Sequence, residues 1–194
     1  MTEIDRDAIV ETALELFVSR GYGSTSIADI ASVHGLEPAV VSAEFPNKEA
    51  FVFSVVDIMF AAVFEDLAKM PQDQDLVEGL LAAHQSAVGR IIAGEGPVSL
   101  LRMHRMGRVI ATNSTVAQAV STHRKRVLAR GLAGLRGLRD DDPQIVKAVT
   151  VWSAIMASTH AAAVHDTDEP DPHATDLTTR RLDRTYHLVR RVDP

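Results

Sequence analysis

An all-α fold is predicted for this chain by three observations. Apolar residues recur at helical spacing, capping signals divide that pattern into segments of helix length, and no alternating β-rich stretch or short-period repeat interrupts it. About nine helices are expected, three in a unit over residues 1–50 and the rest in a helical body over 51–194. With 194 residues, 46% of them hydrophobic, the chain can bury one or two cores without staples. It has no cysteine, which suits a reducing compartment. Met1-Thr2-Glu3-Ile4-Asp5 is acidic and lacks the apolar core of a secretion signal. The most apolar run, 149–164, contains His160 and is shorter than the ~20 residues a membrane span needs. A soluble cytoplasmic protein with no membrane partner is expected.

Each helix has its own local justification. Ile9, Ala13, Leu16 and Phe17 fall at i, i+4, i+7 and i+8, and Arg20-Gly21 closes the stripe, so the first helix covers about 6–20. Ser26 with Asp29 three residues on is a capping box opening a second helix, whose Ile27, Ile30 and Ala31 point inward. Gly35 allows the next turn, and Pro38 suits the first position of a short third helix with Glu37 at its N-cap. Two short helices joined in this way make a helix-turn-helix over about 26–45. Further helices are expected over about 48–69, before Pro71, and about 75–93, before Gly94. Two short ones are expected between Pro97 and Asn113, then one from Ser114 to Leu138. Asp140-Asp141-Asp142-Pro143 should cap a helix running to about His165, with acids at its positive end. Residues 166–172 read as a polar linker before a last helix over about 174–192.

The residues Arg6, Ile9, Ala13, Leu16, Phe17, Gly21-Tyr22, Thr25-Ser26-Ile27, Asp29-Ile30-Ala31, Gly35, Phe45-Pro46-Asn47-Lys48-Glu49 and Phe51 stand in a specific order and spacing. In that order they resemble the DNA-binding module of the TetR/AcrR family of regulators. The resemblance implies a ligand-responsive regulator, more often a repressor, reading a palindromic operator in double-stranded DNA as a homodimer. It also implies that residues 51–194 form the ligand-binding and dimerisation domain. DNA contacts would come from Thr25, Ser26, Glu37, Pro38, Ala39, Val40, Ser42, Glu44 and Lys48. Several of these depart from the family pattern, which usually has hydroxylated or basic residues at Glu37, Pro38 and Val40, tyrosine at Ser42 and often histidine at Glu44.

Charge sharpens that departure. Residues 1–50 hold nine acids and three bases, whereas 97–139 hold nine bases and no acid. Phosphate neutralisation supplies most sequence-independent affinity for duplex DNA, so an acidic reading head needs explanation. Glu37 or Glu44 can accept from a cytosine amino group, Val40 can meet a thymine methyl, and helix-start amides with Lys48 can hold phosphate. The alternative is a dimer of the same architecture that has lost specific DNA binding and works through a ligand or a partner protein.

The arginine-rich segment also has two readings. Arg102, Arg105 and Arg108 lie at i, i+3 and i+6, one face able to pack on the acidic underside of the N-terminal unit. Alternatively these arginines, or His123-Arg124-Lys125-Arg126, hold an anionic ligand through forked guanidinium contacts. The stretch 101–120 resembles the ligand domain of family members that sense fatty acyl thioesters, which implies an apolar or amphipathic anionic effector. Met103, Met106 and Ile110 share one face, with His84 and His104 as polar candidates and Trp152 as a possible stacker; core packing is the competing role for all of them. The helix around 149–164 is apolar or small on nearly every side, and with the last helix it resembles the family's two-helix contribution to a dimer interface. Val151, Ile155, Ser158, Ala162, Leu182 and Tyr186 are the candidates there.

Catalysis is not expected. There is no thiolate, Gly94-Glu95-Gly96-Pro97 follows a helix rather than a strand, and the eight histidines show no i, i+4 ligand pair. His165, Asp166, Asp168, Glu169, Asp171 and His173 sit in the linker and read as a solvated acidic loop. Neither a cofactor nor a metal is expected.

Overall fold

The computed structural model describes residues 4–71, 73–163, 180 and 182–188, and every regular element among them is helical. In chain order these are α1 (Arg6–Ser19), α2 (Ile27–Val33), α3 (Pro38–Glu44), α4 (Glu49–Leu67), α5 (Leu76–Ile92), α6 (Leu100–Thr112), α7 (Ser114–Arg136) and α8 (Pro143–Ala163). Residues 182–188 are helical as well.

Short polar side chains set most of the starts. Asp5 accepts from the Ala8 amide, Asp75 from Val77 and Glu78, Ser99 from Arg102, and Asp142 from Gln144. The capping box is present in both directions, with Ser26 Oγ accepting from the Asp29 amide and Asp29 accepting from the Ser26 amide. Asn113 ends α6 in an extended conformation and caps α7 through the Val116 amide, so one residue turns the chain between two helices. Where two helices were expected between Pro97 and Asn113 there is one. Ser99 supplies the N-cap, leaving Pro97 in the bend before it. Glu37 does occupy the N-cap of α3, but its side chain makes no capping bond. The expected linker at 166–172 lies outside the described residues.

Two apolar clusters form the interior. The first joins Ile9, Leu14, Phe17, Ile30, Val41 and Phe45 to Phe51, Val55, Ile91, Met106, Val109, Val116 and Val120, so it does not stop at residue 50. The second gathers Val63, Leu80, Leu128, Leu132, Ile145, Trp152 and Ile155, with Leu182 and Tyr186. Helix α4 contributes to both, its first half to one and its second half to the other. Arg124 lies on the stripe Val116–Val120–Leu128 between the clusters, and burial draws its guanidinium down to about 10.

Polar ties hold the helices in register. Arg102 donates through Nε to Glu11 at 3.0 Å and through Nη1 to Asp7 at 3.0 Å. Arg105 donates to Glu11 at 2.5 Å and pairs with Glu15 at 3.3 Å. The arginines of α6 thus clip onto the acids of α1, the packing role of the two the sequence allowed. At the start of α4, Lys48 Nζ donates to the carbonyls of Tyr22 (2.5 Å) and Thr25 (2.9 Å) and lies 4.3 Å above the Tyr22 ring. The buried Thr25 hydroxyl is bonded to the Leu16 and Gly21 carbonyls. Asp66 on α4 accepts from Arg90 of α5 at 2.6 Å and from Lys69 at 3.0 Å.

Two measurements test these ties. Lys48→Met removes a charge-assisted pair of bonds to carbonyls at the α1–α2 turn, and should cost about 1–3 kcal/mol of stability in urea titration; an unchanged midpoint would show that the ammonium is not structural. Burial acts to raise the Asp66 carboxyl, and the bonds from Arg90, Lys69 and Ser86 outweigh it, bringing it down to about 2. A depressed folded-state value gives stability that is full above the unfolded value near 4 and lost as pH falls towards 2. Asp66→Asn should therefore lose about 2 kcal/mol at neutral pH and show a shallower decline of melting temperature between pH 4 and 2.

Candidate nucleic-acid interface

Helix α3 is held by one residue and displays most of the others. Val41 is fully buried, while Glu37, Pro38, Ala39 and Val40 are exposed and Ser42 is half-buried. The anchor works because Val41 meets a core already closed by Phe45, whose ring stacks on Phe51 at 4.4 Å. With Gly35 at φ +62° in the preceding turn, α3 presents its first turn outward as a rigid face. Val33 at the end of α2 adds a 60% exposed apolar residue to this end of the domain; the sequence reading did not name it, although it lies off the buried stripe of Ile30 and Ala31.

The candidate contacts separate into displayed and occupied groups. Thr25 is buried, with its hydroxyl committed to two carbonyls, so it supports the turn rather than reaching outward. Ser26 is exposed, but its hydroxyl lies 2.5 Å from Asp29 Oδ2 in the capping box. Lys48 spends two of its donors on Tyr22 and Thr25. Glu44 does not project forward: it forms an ion pair with Arg6 of α1, whose guanidinium also sits 5.1 Å over the Phe45 ring. Thr25, Lys48 and Glu44, three of the expected DNA contacts, each hold a partner within the domain that sequence position does not reveal.

The same bookkeeping changes the electrostatics. Among the acids of the unit, Asp5 caps α1, Asp7, Glu11 and Glu15 meet Arg102 and Arg105, Asp29 closes the capping box, and Glu44 meets Arg6. The Asp29 carboxyl is held below its usual range by the Ser26 hydroxyl and amide. Burial and the neighbouring Glu49 carboxylate push the Tyr22 phenol up. Glu37 is the exposed acid at the N-cap of α3.

The other expected sites divide likewise. Met103, Met106 and Ile110 pack into the first cluster, whereas Trp152 is 2% exposed in the second, with the His84 ring edge-on to it at 5.5 Å. They do not share one wall, because α6 turns its apolar stripe toward α1 and α4, away from α8. His104 is half-buried on α6. Of the dimer candidates, Ile155, Leu182 and Tyr186 are buried within the single chain, so they hold its own core together. Val151 is half-buried, and the side chains of Ser158 and Ala162 lie outside the described residues. The outward face of α8 instead carries Val146, Thr150, Ala154 and Ala157. No helix among the described residues is long and apolar enough to cross a membrane.

Comparison with known proteins agrees with this geometry. Residues 9–55 match the model of bacterial regulatory proteins of the tetR family. The chain is 28% identical over 151 residues to the HTH-type transcriptional regulator TcmR of Streptomyces glaucescens, covering 74% of this chain and 67% of that one. It is 37% identical over 87 residues to the HTH-type transcriptional repressor ComR of Escherichia coli K12, covering 43% of this chain and 40% of that one. In fold it is similar to the TetR-family repressor FadR of Thermus thermophilus, solved with lauroyl-CoA, with a TM-score of 0.54, 20% identity and coverage of 94% and 92%. A similar likeness, with a TM-score of 0.53, 19% identity and 96% coverage of both chains, joins it to a tetR-family regulator from Shewanella sp. PV-4. These relatives are regulators of transcription rather than enzymes. Residues 9–55 thus match the helix-turn-helix model of tetR-family bacterial regulators in sequence, and the all-helical architecture is similar in fold to that of solved tetR-family regulators.

Proposed function

We propose that this regulator is a cytoplasmic, homodimeric repressor that binds a palindromic operator through α3 and is released by a small amphipathic anionic effector. One observation carries the DNA-binding part: the acids Asp7, Glu11, Glu15 and Glu44 of the reading head are ion-paired with arginines of the same chain, leaving an exposed apolar turn, Pro38-Ala39-Val40, flanked by Glu37 and Ser42. Such a face suits thymine methyls and a cytosine amino donor. The division of labour follows a boundary near residue 50, with residues 51–194 sensing and dimerising. Effector binding in the body would tilt α4, which enters both clusters, and so change the spacing of two heads. The Thermus repressor solved with lauroyl-CoA supports an acyl-type effector. Dimerisation falls to the outward face of α8, where Val146, Thr150, Ala154 and Ala157 let a second helix approach closely.

The second reading, a dimer that no longer binds DNA specifically, is favoured by the absence of any Lys or Arg on α3 and by the exposed Val33 and Val40. Selection of binding sequences from a random duplex pool, followed by salt titration, separates the two. The repressor should enrich a palindrome and show a shallow salt dependence. Failure to enrich any sequence at low salt would leave the second reading standing.

Substitution sharpens both halves. Glu37→Lys should tighten duplex binding and steepen the log–log salt dependence by about 0.9 to 2, since it removes a repelled charge and adds one phosphate contact. Ala154→Arg places an uncompensated charge on the outward α8 face, and should shift sedimentation at micromolar concentration from dimer to monomer without lowering the helical content; dimer persistence would exclude that face.

A further inference from the structure

A groove of about 380 Å³ runs between α4 and α7 on the outside of the body, lined by Asp57, Ala61 and Phe64 from one helix and His123, Arg126, Val127 and Arg130 from the other. Its volume lies in the range of small-molecule sites. At one end His123, 9% exposed, lies flat against the Phe53 ring at 4.2 Å. Its Nε2 is 2.6 Å from Asp57 Oδ1 and its Nδ1 is 2.9 Å from Arg126 Nη2. Because a guanidinium only donates, Nδ1 must accept, so the ring is neutral and Nε2–H donates to Asp57. The acid of the groove is thereby committed to His123. Arg126 and Arg130 stand at i and i+4, two like charges on one face of α7, with no carboxylate paired to either among the described residues. Between the helices the floor is apolar: Ala61, Val127 and Phe64. Phe64 lies so close to Gly131 that a Cβ there would come within 2.1 Å of the ring.

Paired guanidinium groups beside an apolar floor, with their nearest acid already satisfied, suit an oxyanion head carrying a hydrocarbon tail. We propose that this groove binds an amphipathic oxyanion, a carboxylate or phosphate held by Arg126 and Arg130 with its tail along Ala61, Phe64 and Val127. This rests on the effector reading above and adds to it a place, residues and a chemical class. The groove lies beside both apolar clusters, since Asp57 is on the helix that enters both and His123 stacks on Phe53, which packs against the first. A head group drawing Arg126 away from His123 would loosen the α7 support for α4 at that point.

The test is isothermal titration of the full-length, DNA-free protein with sodium decanoate, decyl phosphate, decanol and inorganic phosphate. At least one of the two amphipathic anions should bind, and the alcohol and inorganic phosphate should bind at least tenfold more weakly. Arg130→Gln, an exposed position outside the core, should weaken binding of that anion about tenfold, as loss of one charge-assisted contact implies. Gly131→Val, which displaces Phe64, should weaken anion and alcohol alike, and its circular dichroism shows whether the fold is kept. Equal binding of decanol and decanoate, no binding of either anion, or unchanged affinity in Arg130→Gln would overturn the proposal. Operator binding without ligand is measured separately: a groove that binds anions in a protein that does not bind DNA removes the repressor reading and leaves this site intact.

Discussion

The arrangement of this protein depends on the meeting of α1 acids with α6 arginines. Asp7, Glu11 and Glu15 recur every four residues along α1, and Arg102 and Arg105 stand three apart on α6, so each guanidinium spans two neighbouring carboxylates and Glu11 is shared. Burial acts to lower the Arg102 guanidinium, and the Glu11 and Asp7 carboxylates outweigh it and raise its pKa. Exposed pairs of this kind are individually weak. Their collective effect is orientation. The forked donors fix the lateral position of α6 on α1, and Met106 and Val109 then enter the same apolar cluster as Ile9 and Phe17.

In the proposed reading, that clip also reconciles an acidic head with a polyanionic partner. Segregated charge, negative in the first fifty residues and positive from Pro97 to Arg139, looks in the sequence like the wrong polarity for DNA. In three dimensions three acids of the first block, Asp7, Glu11 and Glu15, meet two arginines of the second, Arg102 and Arg105, where α6 packs on α1. Glu44 is taken up separately by Arg6, leaving Glu37 exposed at the N-cap of α3. In the proposed reading the head therefore relies on shape and apolar base contact more than on phosphate attraction.

The two cores share helices. The first cluster draws on α1 through α7 and the second on α4, α5, α7 and α8, so α4, α5 and α7 are shared. The groove between α4 and α7, with His123 bonded to Asp57 and stacked on Phe53, sits where these two helices pass from one core to the other. In the proposed reading, a ligand there would act on two helices that enter both cores.

The sequence by itself determined the local decisions: helix identities, the Ser26–Asp29 capping box, the Asp142 cap, Pro38 opening α3 and the helix-turn-helix that groups them. These depend on periodicity and on bonds spanning two to four residues, which a linear reading captures. Only the tertiary structure decided which side chains remained available. Thr25, Lys48 and Glu44 look like DNA contacts in sequence, yet their partners are the Leu16 and Gly21 carbonyls, the Tyr22 and Thr25 carbonyls, and Arg6 across the domain. Ile155 on the apolar α8, and Leu182 and Tyr186 on the stripe of the last helix, look like interface residues in sequence, yet within the single chain all three are buried. Arg130 entered the sequence reading only as one of the nine bases of 97–139, because its place in the groove depends on Arg126 on its own helix and on an apolar floor supplied largely by α4, some seventy residues earlier. Periodicity shows that a residue faces something; long-range packing alone determines what it faces, and therefore whether its charge or surface is left for a partner.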